Sequence, residues 1–138
     1  MKKVELVKFC KSFFFLCEEQ GYHFYINDGR AVFVSDTFRV EYFEELYSES
    51  GYINLINHQN QCFSLIELCY IVGGVEIDGD IEDIASSFHV NYQKVLSVFD
   101  YVYESYHKKF DDYFPDSEEQ LIKLEKQWQL DVRRNLNV

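Results

Sequence analysis

Asp28-Gly29 sits between two runs of strand-forming residues, Tyr22–Ile26 and Ala31–Val34. Glycine accepts positive φ without a steric cost, so an Asp-Gly pair in this setting folds the chain back on itself as a β-hairpin. Downstream, Phe38, Val40 and Tyr42 alternate with Arg39 and Glu41. That is the period of a half-buried strand and makes Thr37–Phe43 a third one. Tyr52–Ile56 reads as a further short strand.

Helical signals surround this meander. Leu6, Phe9, Cys10, Phe13, Leu16 and Cys17 form a wide apolar face, predicting a helix over Val4–Gln20 that Gly21 closes. Residues 57–61 are a polar break. Phe63–Val72 reads as an apolar helix ended by Gly73-Gly74, and Asp80 as the cap of a helix over Ile81–Phe88. A turn follows at His89-Val90-Asn91, with Asn91 the N-cap of a long helix, Tyr92–Phe110. Ser117-x-x-Gln120 has the pattern of a capping box and opens a last helix to about Leu136. The expected class is α+β: an N-terminal helix with a small antiparallel β-meander (1–57), a three-helix unit (58–115) and a C-terminal helix (116–138). At 138 residues these fit one compact domain.

The chain carries 13 Lys and Arg against 24 Asp and Glu, a net charge of −11. Phosphates are attracted by cations, so this balance opposes non-specific nucleic-acid binding and favours a basic protein partner. Aromatic residues make up 18% of the chain, including 11 Tyr. Every buried phenol needs a partner or water, so some of these tyrosines are expected at the surface, where Tyr-rich patches often mark contacts.

No run of 18 apolar residues exists, so no membrane-spanning helix is expected. Phe13–Cys17 follows several lysines, but Glu18-Glu19 stands where a cleaved leader carries small residues. The stretch reads as a buried helix, and a cytoplasmic location is expected. Cys10, Cys17, Cys62 and Cys69 fall in two pairs spaced by seven, too far apart on a helix for a disulfide. Zinc sites favour closer pairs, so the thiols read as small apolar filler.

Ile84, Ala85, Phe88, Val90, Val95, Val98 and Phe99 place small and apolar residues as two tightly crossed helices need them. The segment Asp80–Val102 thereby resembles a helix-turn-helix. The resemblance implies a DNA-reading helix with Asn91, Tyr92, Gln93, Lys94 and Ser97 facing the bases. Electrostatics oppose that role: residues 62–110 hold eight acids against three bases. Overall composition is similar to that of small acidic phage and mobile-element inhibitors, including anti-restriction DNA mimics. This similarity implies a non-catalytic module that occupies a basic nucleic-acid-binding surface. Candidate contact residues are Glu41, Glu44, Glu45, Glu49, Glu76, Asp78, Asp80, Glu82 and Asp83, with Asp100, Glu104, Asp111 and Asp112 as a further acidic group.

Chemistry has no other foothold. Glu76–Asp83 lacks the glycine and terminal glutamate of an EF-hand loop. His23, His58, His89 and His107 stand in no metal-binding pair. No cofactor, metal site or catalytic constellation is expected. Leu121, Leu124, Trp128 and Val132 make a stripe on the last helix with two uses: packing on the domain's own core, or docking a second copy.

Overall fold

A computed structural model describes residues 3–44, 51–74, 77 and 79–138. The chain is α+β. Helices α1 (Lys3–Ser12) and α2 (Phe15–Gln20) lead into strands β1 (His23–Asn27), β2 (Arg30–Val34), β3 (Phe38–Glu44), β4 (Gly51–Asn57) and β5 (Cys62–Ser64). Helices α3 (Leu65–Gly73), α4 (Ile81–Val90), α5 (Tyr92–Phe110) and α6 (Glu118–Leu136) follow. The strands form one antiparallel sheet in chain order. The hairpin turns where the sequence puts it: Asn27 pairs with Arg30, and Asp28 and Gly29 both take positive φ, +49° and +76°.

One face of the sheet is the floor of the core. Phe33, Val40, Tyr42, Leu55 and Phe63 lie on it and are buried. Helix α1 crosses this face, with the Phe9 ring stacked 5.1 Å from Tyr42 and tilted against Phe33 at 5.5 Å. Helix α3 is apolar nearly all round because it packs on β4, β5, α4, α5 and α6. A single cluster of buried side chains runs from Phe9 to Val132.

Four local readings change. The first helix breaks at Phe13-Phe14 into α1 and α2. Phe63 and Ser64, read as the start of a helix, form with Cys62 an edge strand paired with β4, so Cys62 is an exposed strand residue rather than core filler. Helix α4 runs through Val90, which is 84% exposed instead of buried in a turn. Only Asn91 separates α4 from α5. It does not cap α5; its amide donates back to the Ser87 carbonyl at 3.1 Å. The other caps form as expected: Asp80 accepts from the Glu82 N–H at 2.9 Å, and Ser117 from the Gln120 N–H at 3.1 Å.

Candidate binding surfaces

The first turn of α5, the would-be reading helix, is largely occupied by its own domain. Tyr92 is buried, and its hydroxyl shares a 2.8 Å hydrogen bond with that of Tyr22 at the end of α2. Burial pushes both phenols above their ordinary range. Asn91 is committed to Ser87, and the Ser97 hydroxyl donates to the Lys94 carbonyl at 2.8 Å. Gln93 and Lys94 point to solvent. At the end of α4, His89 meets Glu19 at 2.9 Å, setting a carboxylate beside this end of the helix pair.

The acidic residues divide by environment. Glu41 lies on the outer face of the sheet, opposite the helices, yet is only 9% exposed. Arg39 on the same strand reaches it at 3.0 Å and Arg30 on the neighbouring strand at 3.5 Å. Arg30 also covers the Phe43 ring, and Arg39 bonds the Asn60 side chain. Register explains the grouping: β2 and β3 pair antiparallel, which puts Arg30 diagonally across from Glu41. The charge of Glu41 is thus matched twice within the sheet. Glu44 accepts a 2.7 Å bond from the Tyr42 hydroxyl. Asp80, Glu82 and Asp83 are exposed at the start of α4. Glu45, Glu49, Glu76 and Asp78 lie outside the described residues.

Another acidic surface among the described residues lies elsewhere. Between α5 and α6 the chain reads Asp111-Asp112-Tyr113-Phe114-Pro115-Asp116-Ser117-Glu118-Glu119, and all five carboxylate residues are exposed. His107 holds Asp111 at 2.6 Å; among the described residues the other four make no ion pair. Phe114 stands among them 88% exposed. Asp100 and Glu104 add an exposed i, i+4 pair of like charge on α5. Such a pair costs a helix a few tenths of a kcal/mol, so folding does not call for it.

The C-terminal half of the α6 stripe belongs to the core. Trp128 is buried against Phe63, Tyr106 and Phe110, and its indole N–H donates to Ser105 at 3.0 Å. Val132 is buried too, while Leu121 and Leu124 are half-buried. Arg133 crosses to α3 and donates to the Tyr70 and Ile71 carbonyls at 3.0 and 2.9 Å, satisfying the end of that helix.

A groove of about 310 Å³ runs between α3 and α6. Ile66, Tyr70, Ile77 and Leu130 form its apolar walls, and Glu67, Lys126 and Gln129 its polar lining. Burial, and behind it the Glu125 carboxylate, push the Glu67 carboxyl up to about 7. Tyr106 donates to Glu125 at 3.3 Å, and burial pushes its phenol up to about 12. The sequence signal for Glu67 is one carboxylate inside an otherwise apolar helix. The signal for Phe114 is an aromatic residue between acid pairs, held extended by the proline after it.

The thiols are not poised for catalysis. Cys69 is buried and pushed up to about 11, and burial also raises Cys10, Cys17 and Cys62. Every buried side-chain nitrogen or oxygen among the described residues has a hydrogen-bond partner. None of the described helices is long and apolar enough to cross a membrane. No protein-family model, curated protein or solved structure matches the chain.

Proposed function

We propose that this chain is a non-catalytic binding module that docks an acidic, aromatic-tipped surface onto a basic protein. The natural target is a groove that otherwise holds nucleic acid, so the module acts as an inhibitor, of the kind phages and mobile elements use. The observation that carries this reading is the α5–α6 connector: five exposed carboxylate residues and no cation in residues 110–119, around a nearly fully exposed Phe114. Carboxylates of one sign steer a basic partner at long range, and a buried aromatic anchor supplies short-range affinity. An exposed phenylalanine contributes little to its own fold, whereas a partner pocket desolvates it.

The same features weigh against reading of DNA by α5. Tyr92 and Asn91 are already bonded within the domain, and Lys94 is the one cation of the turn. The test is affinity capture from lysate on immobilised chain, comparing wild type with a D112N/D116N/E118Q/E119Q variant and with Phe114→Ala. Basic nucleic-acid-binding proteins should be retained by the wild type, released by salt and lost from both variants. Equal retention on all three columns would refute the assignment to this surface.

A further inference from the structure

Strand β1 is one edge of the sheet, with a neighbouring strand on one side only among the described residues. Among the described residues, no main-chain hydrogen bond other than the ladder to β2 involves residues 23–27. Ile26 is 57% exposed and Tyr25 44%. Edge strands are normally protected by charge, proline, a bulge or brevity. His23-Phe24-Tyr25-Ile26-Asn27 has no carboxylate, lysine, arginine or proline. The opposite edge, β5, is only three residues long.

The hairpin fixes which groups of β1 face outward. A two-residue turn with both central φ angles positive closes on a hydrogen-bonded pair, here Asn27 with Arg30. Pairs alternate along an antiparallel ladder. His23, Tyr25 and Asn27 therefore bond to β2, while Phe24 and Ile26 turn both their N–H and C=O groups to the open edge.

We propose that this edge is a self-association surface: β1 pairs antiparallel with β1 of a second copy about a two-fold axis at Tyr25. In that register Phe24 faces Ile26 of the copy, and each pair exchanges two main-chain hydrogen bonds, which joins two five-stranded sheets into one. The side chains match as well. On the inner face, the exposed Ile26 is covered by Phe24 of the copy, whose ring already packs 4.7 Å from Phe33. On the outer face Tyr25 meets Tyr25, and His23 meets Asn27. The strand is thus self-complementary on both faces. Two chains of −11 repel each other strongly at most approaches; a strand without formal charge is where a second copy comes nearest at least cost. This surface shares no residue with the acidic connector, so it stands independently of the proposed partner.

Sedimentation velocity from micromolar to millimolar protein tests the pairing. Wild type should pass from monomer to dimer. Ile26→Lys, at an exposed position, should keep the monomer's thermal midpoint and raise the dimer dissociation constant about tenfold or more. Tyr25 is a non-hydrogen-bonded pair in the proposed register, where side chains approach most closely. Tyr25→Cys in a Cys62→Ser background should therefore form an intermolecular disulfide under mild oxidation. A chain monomeric to millimolar concentration overturns the proposal. So does a dimer indifferent to Ile26→Lys, or one that Tyr25→Cys fails to cross-link.

Discussion

Replacing Glu67 by glutamine should stabilise the protein, and increasingly so as pH rises. The Glu67 carboxyl goes from an ordinary value of 4.5 to about 7 because α3 and α6 bury it and Glu125 lies nearby. The folded chain thus holds this proton more tightly than the unfolded chain. Below pH 4.5 both states are protonated and the group costs nothing. Between 4.5 and 7 the unfolded state ionises first and stability falls. Above 7 both are ionised and the penalty is constant. Linkage puts that penalty at about 1 kcal/mol at pH 5 and about 3 kcal/mol at pH 8. Water in the groove makes these upper figures. Glutamine keeps the shape and removes the charge. Urea titrations should show Glu67→Gln more stable than wild type by no more than about 1 kcal/mol at pH 5. At pH 8 the variant should be more stable by up to about 3 kcal/mol, or about 10 °C in Tm. A difference that is flat with pH, or a variant less stable at pH 8, would show that Glu67 is a well-satisfied anion and that the account of the groove is mistaken.

Other substitutions probe the rest of the framework. Trp128→Ala should cost about 3–5 kcal/mol in denaturant unfolding, since it empties a site among Phe63, Tyr106 and Phe110; a loss under 1 kcal/mol would mean that α6 is loosely held. Tyr22→Phe and Tyr92→Phe should each cost about 1–2 kcal/mol, and the double variant less than their sum, because each single change orphans the other hydroxyl. Strict additivity would deny that bond. Gly51→Ala should destabilise by about 1–3 kcal/mol, because an added methyl runs into the Tyr42 ring. In the folded protein Cys62 should be the first thiol labelled by an aromatic disulfide reagent and Cys69 the last; the reverse order in mass spectra would contradict the placement of β5.

Parts of this fold were legible because their signals are local. Asp28-Gly29 fixed the hairpin, and the bounds expected for the long helix, Tyr92–Phe110, are those of α5. Ser117 and Gln120 marked the start of α6 in the same way. One misreading comes from pairing between distant residues. Strand β5 has three residues, too few to show alternation, and exists because β4 offers an edge. Nothing in the sequence marks the break at Phe13-Phe14, where neither glycine nor proline stands. Val90 looked apolar enough to be buried, but α4 continues through it and turns it to solvent.

The acidic surface was legible as composition and not as location. Glu41 stood among the candidate contacts, but strand alternation sets Arg39 beside it and the register of β2 and β3 adds Arg30. Asp111 and Asp112 stood out as part of an acidic group, whereas the exposure of Phe114 depends on how α5 and α6 join. Trp128, an anchor candidate by type and spacing, is consumed by the core because α6 packs back along α3 and α5.

The sharpest test of the electrostatic argument is the mobility of random-sequence duplex DNA titrated with the protein at low salt. A surface this rich in unpaired carboxylates should leave the duplex unshifted up to high protein concentration, with Lys94→Ala indistinguishable from wild type. A shift that weakens steeply with added salt and disappears with Lys94→Ala would contradict the account and make α5 a DNA-reading helix.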